Sequence, residues 1–115
     1  AQERAAFGSP IFDLQAVQFR LAEMATELEA SRQLVLNAAR LKDAGEPCLK
    51  EACMAKLHAG QMAERVTSEA IQVFGGYGYL ADYEVERMYR DQKVCQIYEG
   101  TNDIQKLIIA RQIAG

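Results

Sequence analysis

The sequence predicts an all-α protein, an up-down helical bundle of two long antiparallel helices with shorter helices added. Three observations predict it. Apolar residues recur at helical spacing through most of residues 11–74. The only prolines, Pro10 and Pro47, each stand just before such a stretch, where a helix can begin. No segment shows the period-two alternation of a half-buried strand.

The first helix is expected from Ile11 to about Asp43. Leu14, Val17, Leu21, Met24 and Leu28 step alternately by three and four, and Val35 and Ala38 continue the stripe with Ser31 filling one slot. That is a narrow seam for packing on another helix. Gln18, Arg20, Glu27, Glu29 and Lys42 take the other side. Ala44-Gly-Glu-Pro47 stops the helix and turns the chain. A second helix is expected from Pro47 to Phe74, with Ala52, Ala55, Ala59, Met62, Val66, Ala70 and Val73 on its packing face. Its alanines favour the helix and let a neighbour approach closely. At about 1.5 Å per residue both helices reach roughly 40 Å, long for so small a unit, so a bundle extended by partners is expected. Phe74-Gly-Gly-Tyr-Gly-Tyr79 then ends the helix and bends the chain. A short helix follows from about Tyr83 to Asp91, and a last one from about Asn102 to Ile113 carries Ile104, Leu107 and Ile108.

With 115 residues the chain fits a single domain. A net charge of −3 argues against sequence-independent binding of nucleic acid, which needs a basic footprint. No apolar run approaches the roughly 20 residues of a membrane span, and no charged-then-apolar stretch in these residues reads as a secretory leader, although a piece of a longer protein can lack a signal its parent carries. The chain opens without methionine in the helix-like text Ala1-Gln-Glu-Arg-Ala-Ala-Phe-Gly8, and is expected to be a piece cut from a longer protein. Three cysteines, an odd number, suit a reducing compartment. Cys48 and Cys53 lie five apart and do not share a helix face well, so they read as small, part-buried thiols and not as metal ligands. His58 is the only histidine, poor material for a zinc site or a Ser-His-Asp site.

Two stretches carry chemistry. The Phe74–Tyr79 segment lacks the glycine spacing of a dinucleotide fingerprint and follows a helix where a strand should stand. It reads as a helix terminus with left-handed glycines, although the exposed N–H groups of such a turn can also hold an anion. In Cys95-Gln-Ile-Tyr-Glu-Gly-Thr-Asn-Asp103, Glu99 sits beside Tyr98 and Ile97 where a buried run enters a turn. It is either an acid favoured by the dipole of the last helix, or paired with an arginine, or a general base whose pKa is raised by a partly dry pocket. Gly100 would let a ligand approach the backbone, Thr101 fits an N-cap, and Asp103 lies in the first turn.

The segments Gln72-Val-Phe-Gly-Gly-Tyr-Gly-Tyr79, Tyr83-Glu-Val-Glu-Arg-Met-Tyr-Arg-Asp91 and Gln96-Ile-Tyr-Glu-Gly-Thr through Arg111 together resemble the C-terminal helical domain of acyl-CoA dehydrogenases. Glu3-Arg-Ala-Ala-Phe-Gly8 and Phe12-Asp-Leu-Gln15 resemble that family's segment entering the domain, so the likeness covers essentially the whole chain.

The resemblance implies a flavoprotein that oxidises an acyl-CoA to the trans-2-enoyl-CoA, in fatty-acid or branched-chain amino-acid breakdown. A glutamate takes the α proton while the β hydrogen leaves as hydride to FAD. By position, Glu99 is that catalytic base. Arg4 matches the arginine that reaches the FAD pyrophosphate, and Phe7 and Gln15 match residues around the adenosine half. Gln72, Val73, Phe74, Gly75 and Gly76 match the turn that wraps FAD, largely that of a neighbouring subunit, which the resemblance favours over the plain helix end. Thr101 and Asp103 match FAD contacts after the base, and Tyr98 and Gly100 match substrate-side positions. Arg90 and Asp91 match a pair read here as structural ion pairing. The resemblance further implies a homo-oligomer, dimer or tetramer, and electron-transferring flavoprotein as acceptor. It places the protein in the bacterial cytoplasm, or in the mitochondrial matrix of a eukaryote. The family's middle β domain and earlier helices are not among these residues, so the chain by itself is expected to be inactive. An acyl-CoA oxidase and a non-catalytic helical oligomerisation domain are the alternatives.

Overall fold

The computed structural model describes residues 1–115. Two long helices, α1 (Gln15–Asp43) and α2 (Leu49–Phe74), pack along their length. They run antiparallel, because residues early in α1 meet residues late in α2. Arg20 pairs with Glu69, Glu27 with Arg65 at 2.6 Å, and Ser31 Oγ lies 2.8 Å from His58 Nδ1. The chain then returns along the other side of α2 through α3 (Glu84–Gln92) and α4 (Asn102–Ala114). Lys93 reaches Glu64 at 3.1 Å, and the Gln96 amide donates to the Gly60 carbonyl, also at 3.1 Å. Thus α2 is the central helix. Its buried residues fall on two opposite sides at 100° per residue, Ala55 and Met62 on one and Cys53 and Gly60 on the other.

The four expected helices are present, with three corrections. The first is the seam of α1. Leu14, Val17, Leu21 and Met24 are half-buried as expected, but beyond them the stripe continues through Glu27, Ser31, Leu34 and Ala38. Leu28 and Val35 are 45% and 48% exposed. The reason is that this half of the seam is polar, filled by the Glu27–Arg65 and Ser31–His58 contacts, so hydrophobicity stops tracking burial.

The second correction concerns the start of α1. Ile11–Asp13 form a single 3-10 turn, and Leu14 is extended (φ −76°, ψ 120°), so the α-helix begins at Gln15. Third, the helix-like opening folds as a hairpin. Strands β1 (Ala5–Ala6) and β2 (Ser9–Pro10) pair antiparallel across Phe7 and Gly8. Both turn residues have positive φ (57° and 88°), the mirror-image geometry that suits the twist of a tight hairpin. Strands of two residues are too short to show alternation.

Cys53 is buried and Cys48 half-buried, both as free thiols. Arg90 and Asp91 form no ion pair. The body measures 58 × 24 × 24 Å, too slender for a deep core. Large apolar side chains such as Phe19 and Ile113 remain more than half exposed. No helix is long and apolar enough to cross a membrane.

Candidate functional site

The turn between α3 and α4 presents Glu99. The chain leaves a 3-10 turn at Lys93–Gln96 and passes through Glu99 and Gly100 with φ of 52° and 92°. Thr101 then caps α4, its Oγ1 accepting from the Ile104 N–H at 3.4 Å. Asp103 stands in the first turn of α4, where the helix dipole favours an acid, and pairs with Lys106 at 3.0 Å.

Two donors from different helices converge on this turn. Lys56 of α2 and Gln105 of α4 both donate to the Gly100 carbonyl, Gln105 at 3.1 Å. The Gln105 amide also lies 3.4 Å from the Glu99 carbonyl. In front of the turn is a cleft of ≈ 560 Å³ lined by Ala52, Cys53, Lys56, Tyr98, Glu99 and Gln105. The Tyr98 hydroxyl lies 3.3 Å from the Cys95 thiol. That hydrogen bond, then the charge on Cys95, burial and the Glu99 charge, hold the phenol above its ordinary value. The Glu99 side chain itself is exposed. The dry pocket expected around it is not formed by these residues, because the cleft is open on the side away from α2 and α4.

A second cluster gathers where the N-terminal hairpin meets the end of α2. Arg4 Nη1 donates to the Phe74 carbonyl at 2.6 Å, and the guanidinium lies 5.8 Å from the Tyr77 ring centre, within cation–π range. Gly75 turns the chain with φ 63°, and a Cβ there would stand 2.7 Å from Arg4 Nη1, so only glycine leaves room for this approach. Gln72, Val73 and Gly75 share a cleft with Arg4. Gly76 faces open space. Phe7 projects from the hairpin tip, 96% exposed, and Gln15 opens α1 on an exposed face.

The sequence-derived site residues therefore form two groups. Tyr98, Glu99, Gly100, Thr101 and Asp103 are one, and Arg4 with Gln72, Val73, Phe74, Gly75 and Gly76 the other. Lys56 and Gln72 mark their positions on α2, sixteen residues and so about 24 Å apart along the helix. The two groups do not make one site. Phe7 and Glu99, one near each, are the only non-glycine residues with positive φ. Sequence reasoning missed Lys56 and Gln105. Gln105 had left a signal, a polar residue inside the apolar run of α4 that turns out 7% exposed.

Comparison with known proteins matches residues 1–114 to the family described as acyl-CoA dehydrogenase, C-terminal domain. A probable acyl-CoA dehydrogenase of Bacillus subtilis is 55% identical over 113 residues, which are 98% of this chain and 30% of that protein. An acryloyl-CoA reductase (NADH) of Anaerotignum propionicum is 53% identical over 111 residues, 96% of this chain and 28% of that protein. The structure of butyryl-CoA dehydrogenase from Megasphaera elsdenii superposes with a TM-score of 0.98 at 44% identity, covering 99% of this chain and 30% of that one. The chain thus spans less than a third of the length of these relatives. Matched over residues 1–114 by that family, and sharing its helical fold, the chain belongs to the acyl-CoA dehydrogenase family, as its C-terminal helical domain.

Proposed function

We propose that these residues are the C-terminal domain of a longer, three-domain FAD-dependent acyl-CoA dehydrogenase in which Glu99 removes the α proton of an acyl-CoA thioester. The observation that carries this is the backbone of Glu99, a bulky acid at φ 52°. Such a conformation costs of order 1–3 kcal/mol and persists where the surroundings over-determine it, typically at functional sites. Here it sets the carboxylate at the mouth of a cleft, with Tyr98 beside it. A thioester α proton is weakly acidic, so the base works better once water is excluded. The middle β domain and the earlier helices would close the open side of the cleft over Glu99.

The Arg4 cluster fits the anionic part of FAD. Its guanidinium spends one donor on Phe74 and has others free to form a fork on a diphosphate, and the missing Cβ of Gly75 leaves the approach clear. Gln72, Val73, Phe74 and Gly76 would line the same group, and Phe7 and Gln15 its adenosine half. Thr101 and Asp103 would approach the flavin end, with Gly100 on the substrate side. FAD, when bound, supplies the acceptor for the β hydride. Glu99 holds and moves the α proton.

About 24 Å of α2 separates the two groups, which is consistent with the resemblance's implication that the glycine turn wraps the FAD of a neighbouring subunit. The exposed apolar side chains on α1 and α4 suit such a homo-oligomer, dimer or tetramer. Electron-transferring flavoprotein would be the acceptor, and the protein would work in a bacterial cytoplasm or a mitochondrial matrix, in fatty-acid or branched-chain amino-acid breakdown. The acryloyl-CoA reductase among the relatives keeps the reverse direction in view.

The test mixes the full-length protein anaerobically with butyryl-CoA, then with longer and branched acyl-CoAs, and follows the visible absorption of bound flavin. Bleaching in the wild type and none in Glu99→Gln is the expected result. Equal bleaching in both removes Glu99 as the base, and no bleaching with any of them favours a purely scaffolding domain. Rapid reoxidation of the reduced flavin by oxygen would make the protein an oxidase.

A further inference from the structure

The turn that presents Glu99 combines a conformational cost with an unusual convergence of donors. Glu99 and Gly100 are consecutive residues at positive φ. An L-residue held there tends to relax to φ < 0, and doing so would rotate its side chain away from the cleft. The peptide linking Gly100 to Thr101 is pinned from two sides. The Gly100 carbonyl accepts from the Lys56 ammonium on α2 and from the Gln105 amide on α4. Gln105 is buried, 7% exposed, so water has little access to the side chain. A Cβ on Gly100 would stand 2.7 Å from Gln105 Nε2, so the turn and the amide are packed against each other.

We infer that Lys56 and Gln105 are positioning residues, which hold the Gly100 carbonyl and thereby fix the Glu99 carboxylate in its reactive orientation. This rests on the reading of Glu99 as the base. The two locks differ in kind. Lys56 brings a charge-assisted bond from a helix that also carries the glycine-turn cluster at its far end. Gln105 brings a neutral bond from the helix that the turn itself begins. Both side chains also line the cleft beside Glu99, and the role assigned here acts through the Gly100 carbonyl. Misplacing a catalytic group by about 1 Å can cost roughly 100-fold in rate. Each lock alone is therefore expected to contribute about 10-fold, and both together more.

The experiment uses the full-length, FAD-loaded enzyme under anaerobic stopped flow, with wild type, Lys56→Met, Lys56→Arg, Gln105→Met and Glu99→Gln side by side. The limiting rate of flavin bleaching and the acyl-CoA Kd are read separately. The expected result is a limiting rate down by about 10-fold in Lys56→Met and in Gln105→Met, with Kd and flavin content within about two-fold of wild type. Lys56→Arg, which keeps a charged donor, should recover most of the rate. Wild-type rates in both Met variants, with Glu99→Gln inactive, would overturn the positioning role and leave Glu99 as the base. A Glu99→Gln variant as fast as wild type would instead remove the base reading on which it rests. Met variants that lose FAD or fail to fold, without recovery by arginine, would make the contacts general supports of the fold and also overturn the inference.

Discussion

Arg4 and Phe74 stand seventy residues apart in sequence, yet the guanidinium of one donates to the carbonyl of the other at 2.6 Å. The bond closes the N-terminal hairpin onto the last turn of α2, whose final carbonyls have no partner within the helix. The geometry depends on Gly75, which occupies φ 63°, ψ −143°, a region almost reserved for glycine. Gly75→Ala should cost about 1–3 kcal/mol through backbone strain. Its Cβ would also displace Arg4. In the full-length protein the outcome should be a lower melting temperature together with weaker FAD retention, read by thermal melting and by flavin released on gel filtration. A melting temperature within one degree of wild type would refute the strain.

Glu99 offers a separate test of strain. If φ 52° is costly for an L-residue, Glu99→Gly should be more stable than Glu99→Ala by about 1 kcal/mol, although both lose the carboxylate. Differential scanning calorimetry on the two variants reads the difference directly. Equal stability would mean that the turn relaxes once the glutamate is gone.

Ser31 and His58 join α1 to α2 through a contact of 2.8 Å, and Ser31 is 3% exposed. Ser31→Ala removes one partner and leaves the imidazole nitrogen facing an apolar gap. The expected loss is about 1–2 kcal/mol. Ser31→Thr, which keeps the hydroxyl, should lose less unless its methyl overpacks the seam. Denaturant titration of the two variants separates the hydroxyl from the volume.

Glu64 predicts a pH dependence. Its carboxyl is lowered from the usual 4.5 first by the hydrogen bond from Gln96 and then by the one from Lys93; burial opposes them, and the Lys93 charge adds the least. The folded state therefore favours the ionised form. That stabilisation is complete above the unfolded value and is lost as pH falls through the lower folded one. The group is largely solvated, so the effect is small. The difference in melting temperature between wild type and Glu64→Gln should be largest near pH 6–7 and shrink below about pH 4.

The isolated 115-residue chain should not bleach added FAD in the presence of butyryl-CoA, even at high protein concentration. Its Glu99 is exposed, and its two clusters lie about 24 Å apart along α2. Substrate-dependent bleaching by the isolated chain would contradict the assignment of the missing walls to other domains.

The helices were legible because apolar periodicity and the two prolines both report backbone geometry. The seam was legible as far as Met24 and again at Ser31 and Ala38, while Leu28 and Val35 were wrongly placed on it and Glu27 was missed. Glu27 carries a contact to Arg65, and a charged residue satisfied across an interface looks in sequence like one facing water. The hairpin was hidden because its strands hold two residues each, and a Phe-Gly turn lacks the Asn-Gly signature of such turns. Glu99 was legible from its neighbours and from resemblance. Lys56 was not, since a lysine in an alanine-rich helix reads as ordinary solvation, and its carbonyl partner lies forty-four residues away.

Helix α2 runs unbroken for 26 residues and joins the side of the Glu99 turn to the Arg4 corner. A helix of that length is stiff along its axis, so the Arg4 corner and the Glu99 turn cannot draw together or apart without rupturing backbone hydrogen bonds. Ligand-linked opening and closing must then come from sliding or rocking of whatever surfaces meet this rod. The spacing between the Arg4 corner and the Glu99 turn is set by the length of the rod.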